Sequence, residues 1–384
     1  MNMLLFIVFF ALMIAGVPLG VSMGLSATAL VVLTDLGIMS VPTSVYTGIA
    51  KYPLLAIPVF VLAGMVFERS GVALRLVRFA VAIVGDRRGG LALAAILVCM
   101  VLGGISGSGP ADAAAVATVM IPGMVRAGYP AAFSASVIAA AGSTAILIPP
   151  SIAFILYSVL VPEASVPALF AAGMLPGVLA GIALMVPVVW LSIKHGFGEE
   201  RTGDRDSKTS FWQAFKEAIW GLLAPVLILG GMRSGAFTPT EAAVVAVFYG
   251  LFVGLVIYRT LDWQAIVDVL AESAEVSGTI LLIIALSSVF AWAGNTLGAF
   301  EALGSALIGL SSNETMVLLA VTLLLLIAGT ALAWISGLQS PEAIKASMSS
   351  FGFNPPEVHI DSFMQGLPHA LPYLASAVPL GLAN

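Results

Sequence analysis

Charge is scarce in this sequence. Of 384 residues only 15 are Lys or Arg and 20 are Asp or Glu, while 60% are hydrophobic and the mean hydropathy is +1.09. That leaves too little polar surface to cover a soluble domain, so the composition specifies a polytopic membrane protein, and its long apolar runs make the expected fold class all-α. Cysteine is nearly absent. Cys99, the one present, lies in an apolar run, which excludes a disulfide framework and a cysteine metal cluster and leaves packing as its expected role. Histidine is limited to His195, His359 and His369, so general bases are few. No strongly basic face suggests nucleic acid, and the net charge of -5 says less than how Lys and Arg divide among the loops.

The first 34 residues contain no charged side chain and run on too long for the core of a cleaved signal. They read as a first span, kinked at Pro18 and Gly20. A loop from Asp35 to Tyr52 and a short second span, Pro53 to Phe67, follow. Then Arg69, Arg75, Arg78, Arg87 and Arg88 stand against only Glu68 and Asp86, which marks the cytoplasmic side. Apolar residues interleave with these arginines, and the stretch reads as a helix lying along the interface.

The next stretch organises the rest. Gly103-Gly104-Ile105-Ser106-Gly107-Ser108-Gly109-Pro110 places helix-breaking and hydroxyl-bearing residues where hydropathy says membrane. Irregular backbone survives there only where protein or water surrounds it. The apolar runs on either side, Gly89 to Gly104 and Ala111 to Val125, would each cover roughly 23 Å, short of a core of about 30 Å. With Arg87 and Arg88 before the pair and Arg126 after it, 89–125 reads as a re-entrant hairpin with Ser106 and Ser108 at its tip. Asp112, just past the tip, has two readings: a functional intramembrane acid, or a charge facing the positive end of its own helix.

A second interruption, Ile148-Pro149-Pro150-Ser151, divides 131–159 into two half-helices. The half ending at Ser143-Thr144-Ala145 directs carbonyls into the gap and suits a monovalent cation such as sodium. The half opening at Ser151 offers amide donors that suit a carboxylate. Paired interruptions of this kind point to a transport site.

Val166 to Ile193 is another span, followed by a polar cytoplasmic linker at 194–217. The second half offers spans at Ala218 to Met232 and Ala242 to Tyr258, the latter with Thr240 as helix cap. A crossing from Ile266 to Gly294, an external connector from Thr296 to Asn313, and an entering half-helix from Thr315 to Gly329 complete it. The expected organisation is an inverted repeat of 1–193 and a partial 218–331, followed by an atypical tail at 332–384.

At this point the wording of the motifs carries a family resemblance. The chain resembles the large membrane subunit of the tripartite ATP-independent periplasmic (TRAP) transporters, the DctM family. The stretches that carry it are GGISGSGPADAAAVATVMIPGMVRAGYP, AAGSTAILIPPSIAFILYSVL, LFAAGMLPG and FTPTEAAVVAVFYGLFVGLVIYR, and the similarity runs from near residue 1 to about Thr330. The resemblance implies an elevator-type secondary transporter of the ion transporter superfamily, sited in the bacterial inner membrane, with sodium as coupling ion and no organic cofactor. It implies two partners, a small four-helix membrane subunit of the DctQ type and a periplasmic substrate-binding protein of the DctP type. The substrates it implies are small organic acids: dicarboxylates, keto acids or sialic acids. Carried onto this sequence, the sodium site falls on Ser106, Ser108, Gly142, Ala145 and Pro149, with Gly107, Asp112 and Ser151 along the substrate path. Position 145 is Ala where the family often has Gly, which leaves the backbone carbonyl available.

After Thr330 the family continues with a second hairpin and a Thr-Pro-Pro break, whereas 332–384 is rich in Ser and Pro and holds no span of about 20 apolar residues. A truncated or frameshifted permease is therefore an alternative, as is a symporter that needs no binding protein. A third alternative is an intramembrane serine protease, because Gly104-Ile105-Ser106-Gly107 fits a Gly-x-Ser-Gly pattern. That reaction needs a base beside the serine, and no histidine lies in a convincing span. Trp190, Trp212 and Trp263 are expected as interface anchors, and Glu272 and Glu275 as charges near a helix start.

Overall fold

The computed structural model describes residues 3–84, 87–161, 163–198, 210–308 and 314–338. Among these there is no strand, and five helices are long and apolar enough to cross a membrane: Tyr52–Arg69, Val166–His195, Phe211–Arg233, Pro239–Ile257 and Trp263–Thr296. The chain is a multi-pass membrane protein. Its described residues divide into two compact units, one holding residues 3–51 with the described chain from 278 to 338, the other the described residues of Tyr52–Ser277.

In the first unit the expected single N-terminal span is two helices, α1 (Leu4–Ile14) and α2 (Leu19–Leu33), packed against each other. The kink is a full break because Gly16 takes a left-handed φ of 92° and Pro18, immediately before α2, has no N–H to continue the ladder. The expected loop after it contains α3 (Ser40–Ile49), held by Thr43 and Thr47 hydroxyls donating to carbonyls one turn back. α13 (Trp263–Thr296) ends in this unit, followed by α14 (Ala299–Ile308), a short helix within the stretch expected as an amphipathic connector, and α15 (Glu314–Leu338). Leu5, Phe9, Leu30, Val31, Val289 and Phe290 form its core. α15 runs through Gly329 and Thr330 without a break, because Ala331 to Ile335 are still apolar and helix-compatible. The rest of the tail, from 339, lies outside the described residues.

The second unit begins with a 3₁₀ turn, Tyr52–Leu55, which leads into α4 (Ala56–Arg69) and the amphipathic α5 (Val72–Val84). The hairpin helices are α6 (Gly90–Ser106) and α7 (Gly109–Arg126), and the interrupted pair are α8 (Ala131–Ala145) and α9 (Ile152–Leu160). α10 (Val166–His195), α11 (Phe211–Arg233) and α12 (Pro239–Phe252) surround them, α12 passing into a π-helical segment at Val253–Ile257. α11 starts seven residues before the expected span because Phe211 and Phe215 pack on Phe79 of α5, so part of the expected linker is helix. Linker residues 199–209 lie outside the described residues.

Two local readings change. The cap of α12 is Thr238, whose hydroxyl accepts from the Glu241 N–H while the Glu241 carboxylate accepts from the Thr238 N–H. Pro239 fixes the first helical position, which leaves Thr240 inside the helix and unable to cap it. Glu272 lies in the third turn of α13 and pairs with Arg69, 203 residues away, through a contact of 2.5 Å.

Candidate functional site

The hairpin tip and the helix break meet through glycine. A Cβ on Gly103 would stand 2.7 Å from the Ala145 carbonyl oxygen, and one on Gly107 would stand 2.8 Å from that of Pro150. A Cβ on Gly109 would collide with the Gly142 carbonyl. Gly107 also has a φ of 67°, which ends α6 and turns the chain into Ser108 and α7. Its carbonyl accepts from the Ile152 N–H at 3.2 Å and ties the tip to the start of α9. On the far side of the break, Gly173 and Gly177 of α10 would each carry a Cβ 2.8 Å from an atom of Leu147 or Ile148. The irregular backbone at Ala145–Ser151 is thus enclosed by two helices whose small residues admit it.

Ser106 and Asp112 supply the chemistry. The Ser106 hydroxyl donates to the Asp112 Oδ1 at 2.6 Å and accepts from the Ser108 N–H at 3.1 Å. Asp112 is only 4% exposed, and its Oδ2 has no hydrogen-bond partner among the described residues. Against Ser106 stands Gly64 of α4, where a Cβ would lie 2.9 Å from that of the serine. Asp112 occupies the first turn of α7, after Pro110, and it is a buried acid with one oxygen that has no hydrogen-bond partner among the described residues. An acid so placed without a cationic partner is costly as a lone charge, so it is either protonated or compensated by a cation.

Ser151 is fully buried and caps α9, its hydroxyl accepting from the Phe154 N–H at 3.5 Å. With Ile152 bonded to Gly107, two of the amide donors expected to be open to a carboxylate are engaged within the protein. At the end of α8, Thr144 and Ala145 carbonyls accept from the Leu147 and Ile148 N–H groups. Each carbonyl keeps a second lone pair. The structure therefore brings Gly142, Ala145, Pro150 and Ser151 against the hairpin tip, with Pro149 next to Gly104, where a Cβ would lie 3.6 Å from the Pro149 oxygen. The donors here are hydroxyl, carbonyl and carboxylate oxygens, a set that suits a hard cation and not a soft one. No group of His, Cys, Asp and Glu able to hold a metal ion occurs among the described residues.

The glycines were expected to be mostly helix-packing positions, and the structure places Gly64, Gly103 and Gly109 among those that pack at the site itself. The spacing of Gly173, Gly177 and Gly181, a small residue every fourth position, is a signal that could have found the α10 face. The Ser106 hydroxyl donates to a carboxylate and not to the histidine that the protease alternative was expected to need. His195 ends α10, its Nδ1 3.0 Å from the Leu191 carbonyl, and His359 and His369 lie outside the described residues.

A helical hairpin resting on an interrupted helix, in a chain with five helices of membrane-crossing length, defines a polytopic transporter built on discontinuous helices. The chain belongs to the DctM family: the family model described as "Tripartite ATP-independent periplasmic transporter, DctM component" matches residues 6–364. It is a transporter family and not an enzyme family. The match passes Thr330, where the resemblance was expected to stop. The isethionate TRAP transporter permease protein DctMQ of Oleidesulfovibrio alaskensis is 39% identical over 328 residues, 84% of this chain and 51% of that protein, so the chain spans about half its length. The C4-dicarboxylate TRAP transporter large permease protein DctM of Rhodobacter capsulatus is 37% identical over 342 residues, 85% of this chain and 77% of that one. The sialic acid TRAP transporter large permease protein SiaM of Vibrio cholerae is 36% identical over 320 residues, 83% and 74% of the two chains.

Proposed function

We propose that this chain is the large permease subunit of a sodium-coupled importer of small organic acids in the bacterial inner membrane. The observation that carries the reading is the buried Ser106–Asp112 pair, set at a hairpin tip that packs on the carbonyls of a broken helix. Sodium would be held by the Ser106 and Ser108 hydroxyls with carbonyls of Gly142, Ala145 and Pro149. Its charge would offset the partial negative charge at the end of α8 and the carboxylate of Asp112.

The residues of the chain do the rest. The Ser106 hydroxyl proton is directed at Asp112 and one of its oxygen lone pairs at the Ser108 N–H, which leaves the second lone pair for a further partner. The glycines let two backbones approach, so that the oxygens of tip and break lie within one small volume. Movement of the hairpin and break as a body, relative to a scaffold, would expose that volume to either side in turn, which is the elevator reading, with two inverted halves as its frame.

The partners belong to the same reading: a periplasmic protein that delivers the acid and a small membrane subunit of four helices. The names of the relatives cover isethionate, C4-dicarboxylate and sialic acid, which supports an organic anion as cargo. The test is uptake into proteoliposomes holding this chain, its small subunit and its binding protein, with a panel of dicarboxylates, keto acids and sialic acid. Uptake that needs both an inward sodium gradient and the binding protein supports the reading. Uptake unchanged when choline replaces sodium contradicts the coupling, and uptake unchanged without the binding protein supports the simpler symporter.

A further inference from the structure

A second polar site lies away from the hairpin and the break, in a cleft of about 380 Å³ where α5 and α11 meet the end of the π-helical segment. Three cations, Arg75, Arg78 and Lys216, line it against one acid, Glu217, together with Trp220 and Tyr258. Two of these groups are built into the wall. The Arg75 guanidinium lies 3.6 Å from the Tyr258 ring centroid and donates to the Gly71 carbonyl at 3.0 Å, while the Tyr258 hydroxyl donates to the Glu217 carbonyl. Arg78 stands 3.6 Å from the Glu217 carboxylate, at the long end of an ion pair, and Lys216 has no ion-pair partner among the described residues. The cleft is therefore cationic by two formal charges.

Its surroundings are those of a membrane interface. Trp212, Lys216 and Trp220 follow one another at every fourth residue, which places them on one face of α11. Trp212 is 67% exposed, and on the neighbouring elements Leu74, Ile83 and Val256 also present open apolar surface. Tryptophans flanking a lysine, with arginines from an amphipathic helix opposite, form a headgroup-level arrangement, and the arginine-rich loop puts it at the cytoplasmic leaflet.

We propose that this cleft binds the phosphodiester headgroup of an anionic phospholipid of the cytoplasmic leaflet, with the acyl chains lying on the exposed apolar faces of α5 and α11. Arg78 and Lys216 face the phosphate, and Arg75 with Tyr258 forms the floor. Glu217 limits the charge, so removing it tightens the site.

The test uses the full chain purified in zwitterionic detergent and titrated with phosphatidylglycerol, with phosphatidylcholine of the same acyl chains, and with inorganic phosphate. Retained lipid is read by native mass spectrometry and stabilisation by the melting temperature. Phosphatidylglycerol is expected to be retained at least tenfold better than phosphatidylcholine. The double variant R78Q/K216Q should lose retention by about 5-fold for each cation removed, with an unchanged melting temperature in detergent alone. Glu217→Gln should raise retention, and it decides the matter if R78Q/K216Q does not fold. Equal retention of the two lipids, unchanged retention in R78Q/K216Q, or no gain in Glu217→Gln overturns the proposal. So does displacement of phosphatidylglycerol by an equal concentration of inorganic phosphate, which would make this a site for the free ion.

Discussion

Ser106 and Asp112 hold one buried hydrogen bond between them, and the two side chains are not interchangeable in what they contribute. Removing the hydroxyl in Ser106→Ala deletes a proposed cation ligand and leaves both oxygens of a buried carboxylate without a partner among the described residues. A loss of this kind is worth about 1–3 kcal/mol, or roughly 5- to 150-fold in binding. Sodium titration of uptake should show the half-saturating concentration rising by that factor. Asp112→Asn keeps an acceptor for the serine hydroxyl and removes only the charge. Its melting temperature in detergent should stay close to that of the parent while sodium affinity, read by calorimetry, falls about tenfold. If Asp112 served only its own helix end, the same variant would lower the melting temperature and leave sodium affinity alone. The serines were legible from the sequence because Ser-Gly-Ser in an apolar run has no packing explanation. The partnership with Asp112 was not, since it depends on how tightly Gly107 turns α6 into α7.

At the scale of elements, the glycines separate into those that admit a neighbour and those that do not. Gly103 meets backbone of α8, which cannot rotate away, so Gly103→Leu should abolish folding or lower the melting temperature sharply, an overpacking effect of about 1–3 kcal/mol or more. Gly123, in α7, has open space where its Cβ would be, and Gly123→Ala should raise stability by roughly 0.5–1 kcal/mol. Equal effects at the two positions would contradict the packing of tip on break. The cap of α12 gives a similar contrast. Thr238→Ala should cost about 1 kcal/mol and Thr240→Ala far less, measured by thermal unfolding. The helix interruptions were legible because glycine and proline act locally. The break between α1 and α2 was harder to read, since Pro18 in a membrane helix signals a kink or an end equally well. α3 escaped notice because Ser, Thr and Pro make up half of Ser40–Ile49 and its apolar stripe is thin. The pairing of Arg69 with Glu272 joins positions that no sequence pattern links.

For the whole molecule, composition and the placement of arginine determine which way the chain crosses the bilayer. α11 has 23 residues; at about 1.5 Å per residue it is long enough for a hydrocarbon core of about 30 Å. Cys99 is fully buried, so single cysteines at Ser210 and Ser234 can be labelled without competition from it. A membrane-impermeant maleimide should reach Ser210→Cys only from the cytoplasmic side and Ser234→Cys only from the other. Labelling of both from one side would contradict the crossing. The central claim, that the hairpin tip and the helix break together form a sodium site, is tested most directly by sodium-dependent melting of the purified chain, compared between the parent and Ser106→Ala. Sodium should raise the parent's melting temperature by several degrees where potassium and choline do not, and that rise should vanish in Ser106→Ala. An equal sodium effect in both proteins, or none in the parent, would contradict it.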